Sequence, residues 1–114
     1  MSHEIRIEYC TQCGWLLRAA WFAQELLTTF QAELLGGAVT LVPGTGGVFE
    51  VHVDGDRIWS RADDGGFPDI VELKQRVRDR IAPARSLGHA DRVRPFRLEV
   101  DGTPPGVVNA DQGG

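Results

Sequence analysis

Cysteine is scarce in this chain, with two residues in 114. In a reducing compartment such a pair is more often catalytic or metal-binding than a structural staple. A basic excess is missing too. Twelve Lys and Arg stand against sixteen Asp and Glu, for a net charge of −4, so no cationic footprint for nucleic acid exists. No long uncharged apolar run occurs either. The most apolar stretch, Trp15 to Leu35, carries Arg18, Gln24, Glu25, Gln31 and Glu33, which argues against a membrane span. The N-terminus is polar and leads straight into an alternating segment, with no signal-peptide pattern. A cytoplasmic location is the expectation. Internal repeats are absent. Gly44-Thr45-Gly46-Gly47 resembles a phosphate-binding loop in glycine content alone, because no lysine and no helix follow it. What remains is one domain's length with 42% apolar residues, enough for a modest core.

The chain then reads in order. Ile5, Ile7 and Tyr9 alternate with Glu4, Arg6 and Glu8. That period of two predicts a strand buried on one face only. A parallel sheet covered on both faces would be continuously apolar, so helices are expected on a single face. A helix follows over about 14–35, with Leu16, Ala19, Ala20, Ala23, Leu26, Leu27, Phe30 and Leu34 on its buried stripe and Trp15, Trp21 and Phe22 off centre. Gly36-Gly37 stops it. Residues 38–42 form a second strand, parallel to the first across a right-handed crossover. Residues 43–47 are a loop. Phe49, Val51 and Val53 mark a third strand, Asp54-Gly55 a hairpin turn, and Arg57–Ser60 a fourth strand. That alternation sets His52 on the bare sheet face and lets Trp59 reach it beside Val42 and Val48. An apolar patch there would be an interaction surface or a dimer contact, giving a monomer or weak dimer. Residues 62–68 are a loop with Asp63-Asp64 solvated. Asp69 caps the last helix, with Glu72 completing an approximate capping box. Ile70, Leu73, Val77 and Ile81 form its stripe, Arg76, Arg78 and Arg80 its charged face, and Pro83 its end.

Residues 1–83 therefore constitute the domain. Residues 84–114 read as a largely irregular tail, with a faint alternation at Phe96, Leu98 and Val100 and a disordered end from Gly102. The element order β-α-β-β-β-α is an α/β, thioredoxin-like core with a four-stranded mixed sheet and both helices on one face. The usual helix between the second and third strands is replaced by Pro43–Gly47.

Chemistry concentrates at Tyr9-Cys10-Thr11-Gln12-Cys13-Gly14. A Cys-x-x-Cys at a strand-to-helix junction is the pattern of a thioredoxin-like redox site. Unpaired N–H groups at a helix start favour the thiolate. The two-residue spacer lets the second sulfur close a disulfide. Zinc needs two further ligands, and only His3, His52 and His89 are on offer. Two inert buried thiols are the remaining reading. Thr11 and Gln12 are neutral: they either tune the thiolate with hydroxyl and amide donors or serve as plain linker. Tyr9 is expected in the core with its hydroxyl at the edge. Phe67-Pro68 either shields the pair and receives a partner or plugs the helix start.

Three motifs taken together, Cys10-x-x-Cys13, Gly46-Gly47-Val48-Phe49-Glu50-Val51 and Gly66-Phe67-Pro68-Asp69, resemble the selenoprotein W-like (Rdx) family over about residues 3–83. The resemblance implies a thioredoxin-like fold and a thiol-based oxidoreductase in cell redox homeostasis, with no organic cofactor and no metal. It implies Cys10 and Cys13 as the redox pair and brings Gly66, Phe67 and Pro68 near them. The family's selenocysteine falls on the position of Cys13, and sulfur there makes a slower nucleophile. The thioredoxin pattern favours Cys10 as the exposed, attacking sulfur, whereas the selenocysteine position favours Cys13. Spacing does not decide between them. True thioredoxins carry a cis-proline where Gly44–Gly47 stands here, so substrate binding differs. Expected partners are a disulfide-bearing protein or small molecule, with glutathione or thioredoxin as reductant. The alternative is a redox-sensitive protein-binding module without turnover.

Overall fold

The structure, a computed structural model, describes residues 2–88. The expected strand at Phe96–Val100 and the disordered end from Gly102 lie outside them. Strand β1 (Glu4–Cys10) pairs in parallel with β2 (Ala38–Gly44) and antiparallel with β3 (Phe49–Val53), which pairs antiparallel with β4 (Asp56–Ser60). The sheet order is β2-β1-β3-β4. The fold is thus the mixed, thioredoxin-like α/β arrangement expected. Ile5, Ile7, Val51 and Val53 are at most 1% exposed. Each such side chain contributes roughly 1.5–3 kcal/mol by leaving water, more than an exposed ion pair supplies at about 0–1 kcal/mol. Arg6, Glu8, Glu50, His52 and Arg57 pair along the other face.

Helix α1 (Leu16–Thr29) covers β1 and β2. It is shorter than expected at both ends. Trp15 is its N-cap residue, and the Phe30 N–H closes the last turn on the Leu26 carbonyl. Thr28 donates its hydroxyl to the Gln24 carbonyl at 2.8 Å, and such back-bonding weakens a helix end. The chain continues in turns that keep Phe30 and Leu34 buried. Phe22, expected off the stripe, is buried against Phe49 with ring centroids 5.6 Å apart. Leu16 and Leu27, expected on the stripe, are exposed.

Three further corrections concern connections. Strand β2 runs through Pro43 and Gly44, because β2 is an edge strand and an edge tolerates a residue without an N–H. A bulge between Val51 and His52 makes Ile58 an extra residue, so Trp59 faces Val51. Trp59 therefore lies in the core, 6% exposed, instead of on the bare face. Its indole N–H donates to the Gly66 carbonyl at 2.9 Å. The expected loop at 62–68 begins with a short helix, α2 (Arg61–Asp64). Ser60 caps it by accepting the Asp63 N–H, and Asp64 returns a carboxylate to the Ser60 N–H.

Asp54 and Gly55 both have positive φ, 51° and 90°, as a type I′ hairpin turn requires. Asp54 also accepts the Glu4 N–H and a His3 ring nitrogen, tying the turn to the start of β1 and holding its carboxyl below the usual range. Helix α3 (Ile70–Ile81) starts on Asp69, which accepts from the Val71 and Glu72 N–H groups. Glu72 turns its carboxylate to Arg76 at 2.7 Å. Beyond α3, Arg85 reaches back to Glu33 at 2.8 Å.

Gly37 marks where β2 begins against β1. A Cβ there would stand 1.9 Å from the His3 carbonyl oxygen. Gly37→Ala must part the two strands at their shared end, and we expect it to cost about 1–3 kcal/mol, read from the urea midpoint.

Candidate redox site

Strand β1 delivers Cys10 as its last residue. By the strand's alternation Cys10 lies on the face opposite Tyr9 and outside the main core cluster, yet it is 1% exposed. Thr11 draws its turn over the end of β2: both its N–H and its hydroxyl donate to the Gly44 carbonyl, at 2.9 and 3.0 Å. The turn closes with the Gly14 N–H on the Thr11 carbonyl. Gln12, Cys13 and Gly14 are exposed on it. The Cys13 thiol donates to the Cys10 sulfur across 2.7 Å. A disulfide needs about 2.05 Å, so bond formation asks for less than an ångström of travel.

This reverses the exposure expected from the thioredoxin pattern. Cys10 is buried and Cys13 faces solvent. The cause is the length of β1, which ends on Cys10 itself, and the late start of α1 at Leu16. The pair therefore sits in a turn ahead of the helix.

The two thiols share their charge unequally. The Cys13 S–H donated to it holds Cys10 below its ordinary value, against the opposing effect of burial, with backbone N–H groups of Gly47, Cys13 and Gln12 adding to the lowering. Cys13 is pushed up by the same hydrogen bond, by burial and by the nearby Cys10 charge. The Gly47 N–H and the positive charge of Arg61 act in the other direction on Cys13. The first proton lost thus leaves a thiolate on Cys10 that Cys13 still bridges, and the two ionisations belong to the pair.

Two contributors went unseen in the sequence. Gly47 lies in a loop whose glycine content suggests no role at the cysteines, although its backbone N–H acts on both sulfurs. The loop stands in the place of a thioredoxin cis-proline, and that is the available signal. Arg61 has no such signal, because the four residues of α2 carry no helical periodicity.

The other site residues fall in two groups. Tyr9 is in the core. Phe67 packs edge-on against Trp15 at 4.9 Å and against Phe49 at 5.0 Å, linking the redox turn to the core. Pro68 is buried and Gly66 receives the Trp59 indole. Arg18 lies 4.3 Å from the Phe67 ring centroid, and Arg61 lies 4.9 Å from that of Trp15 and 5.5 Å from that of Phe67.

His3 and His52 pair with Asp54 and Glu50. His3 and its Asp54 partner lie at the opposite end of β1, about 20 Å from Cys10 by strand rise. A shallow depression of about 820 Å³ lies there, lined by Ser2, His3, Glu4, Arg6, His52, Asp54 and Gly55. Among the described residues no three His, Cys, Asp or Glu side chains gather as metal ligands. His89 lies outside them. Among the described residues, too, no helix is long and apolar enough to cross a membrane.

The model of the Rdx family matches residues 4–79. This chain belongs to the Rdx family. Two solved structures share its fold. A selenoprotein W-related protein from Vibrio cholerae is 52% identical, with a TM-score of 0.68 over 71% of this chain and 99% of that one. A Bordetella parapertussis protein is 62% identical, with a TM-score of 0.66 over 70% and 99%. Migration and invasion enhancer 1 is similar in sequence: the bovine protein is 31% identical over 94% of this chain and 83% of its own length. The mouse protein is 31% identical over 65% of this chain, which spans only 61% of that protein. The Rdx match contains both cysteines, Gly47, Arg61 and Phe67.

Opposite shifts follow from alanine at either cysteine. Cys13→Ala removes the donor that does most to lower Cys10, so the Cys10 ionisation should move up. Cys10→Ala removes the main cause raising Cys13, whose ionisation should move down. Thiolate ultraviolet absorbance against pH reads both; shifts of the same sign would contradict the shared hydrogen bond.

Proposed function

We propose that this Rdx protein is a thiol–disulfide oxidoreductase in which Cys13 meets the substrate and Cys10 resolves. The carrying observation is one exposed and one buried sulfur 2.7 Å apart and hydrogen-bonded. From the state with the thiolate on Cys10, Cys13 attacks one sulfur of a substrate disulfide as its proton passes to Cys10. A Cys13–substrate disulfide forms and one substrate thiolate leaves. Cys10 gives up that proton to the departing thiolate and attacks the Cys13 sulfur. The Cys10–Cys13 disulfide forms and the second substrate sulfur departs as a thiolate, which takes a proton from water. Two protein thiols are oxidised and one substrate disulfide becomes two thiols. An external thiol, glutathione or thioredoxin, returns the pair to the reduced state in a reducing compartment such as the cytoplasm.

The Gly47 N–H and the Arg61 charge favour the Cys13 anion as the proton leaves, which supports attack from the exposed position. Burial supports a resolving role for Cys10, since a substrate reaches it only through Cys13. Arg61, whose charge acts on Cys13, stands over Trp15 and Phe67. Thr11 fixes the turn through Gly44, and Gln12 lends a backbone donor to Cys10.

Thiol alkylation and intact mass in graded glutathione or dithiothreitol buffers test this reading. A single two-electron transition to the bridged form is expected. Cys10→Ser should trap a Cys13–substrate disulfide, and Cys13→Ser should leave Cys10 slow to react. Repeated cycling with a thiol reductant marks an enzyme. One change of state without turnover would make the chain a redox-sensitive binding module instead, and absence of bridging in the folded protein would end both readings.

A further inference from the structure

The described cations are almost all neutralised. Arg6, Arg57, Lys74, Arg76, Arg78, Arg80 and Arg85 each pair with a carboxylate. Among the described residues, Arg18 and Arg61 meet none. Both are exposed, and both stand on the aromatic pair Trp15 and Phe67 beside the redox turn. In a chain of net charge −4, the two guanidinium groups left free among the described residues are gathered at one place.

That arrangement is held in position. Phe67 is fixed edge-on between Trp15 and Phe49. Arg61 opens α2, and the two acids that follow face elsewhere: Asp63 pairs with Arg57, while Asp64 accepts the Ser60 N–H and lies near Arg76. A ring face attracts a cation without using its N–H donors in a bidentate pair. Both forks thus stay available to a carboxylate, the partner their geometry fits best. Thr11 and Gln12 bring no competing charge.

We infer that Arg18 and Arg61 select the substrate: the redox pair prefers thiols and disulfides that carry a carboxylate near the sulfur, docked on the guanidinium groups over Phe67. The inference rests on the oxidoreductase reading and adds a substrate class to it. Arg18 and Arg61 are specificity-determining residues here, since neither exchanges electrons or protons with the substrate.

The size of the effect follows from Coulomb attraction. A guanidinium and a carboxylate about 6 Å apart in water change an equilibrium about threefold, so two such pairs give about tenfold. Distant protein charges act the opposite way, because the chain as a whole is negative. Salt screens them beyond about 8–10 Å.

The test uses the reduced full chain and three small disulfides that differ in charge: dithiodipropionate, bis(2-hydroxyethyl) disulfide and cystamine. The rate of Cys10–Cys13 bridge formation is read by mass. Ratios to the neutral disulfide cancel any change in the reactivity of Cys13 itself. The anionic-to-neutral ratio should be about 10 at low ionic strength and fall with salt. Arg18→Gln with Arg61→Gln should bring it to about 1 or below. Arg6→Gln with Arg80→Gln, which alters net charge equally but removes arginines already paired with Glu8 and Asp56, should leave it unchanged. A wild-type ratio near 1, or preference for cystamine, with the bridge still forming, would overturn the inference and leave the oxidoreductase standing. If no disulfide of any charge bridged the pair, the oxidoreductase reading would fall and the inference with it.

Discussion

Two-sided pairing of β1 is the constraint on which the remaining structure hangs. β1 alone bonds to both a parallel and an antiparallel neighbour, so its register fixes β2 on one side and the β3–β4 hairpin on the other. Its period of two divides the molecule. Ile5, Ile7 and Tyr9 go under α1, while Arg6 and Glu8 go to the polar face. A slip of one residue would exchange the two faces. Gly37 and Asp54 both lock the start of this strand, one by close approach to His3 and one by accepting the Glu4 N–H. Because the start is pinned, the end is placed, and the end is Cys10.

That placement sets which sulfur is buried and which is exposed. A residue at the end of a paired strand is held by the ladder, and the turn that follows folds over it. A residue three positions later, on the turn's far side, faces water. The buried sulfur would ordinarily resist ionisation. Here four donors converge on it, from Cys13, Gly47 and Gln12, and they outweigh the cost of burial. The helix start, the usual source of such stabilisation, is too far along at Leu16. Donors from the turn and from the Gly44–Gly47 connection replace it.

Much of this was legible in the sequence, and the misses have physical causes. Alternation in Glu4–Tyr9 and Phe49–Val53 shows directly in the strands, since each has one dry face. Asp54-Gly55 and Asp69 are local signals whose geometry depends on two or three residues, and both appear as expected. The Cys-x-x-Cys at the strand-to-helix junction points to two sulfurs that lie together, and the three motifs point to the family. Trp59 was misplaced because a bulge inverts the alternation of β4, and a bulge leaves no mark in a five-residue strand. Phe22 was misplaced because the sheet beneath α1 offers Phe49, a partner that helical periodicity does not see. The exposure of the two cysteines depended on one residue of strand length, which lies below what pattern reading resolves. Arg61 was lost with the helix that carries it.

Phe67 shows how these levels meet. Its ring touches Phe49 in the core, Trp15 beside the redox turn, and two cations that no carboxylate neutralises among the described residues. Phe22 extends the same contacts inward from Phe49 and Trp21 extends them back to the surface of α1. Packing of this kind transmits position: a ring wedged on two sides cannot shift without cost to the core. Arg61, whose charge acts on the exposed Cys13, stands over Trp15 and Phe67, so the apolar order that stabilises the sheet also positions a charge beside that sulfur. Stability and the charge environment of the exposed thiol here draw on the same ring.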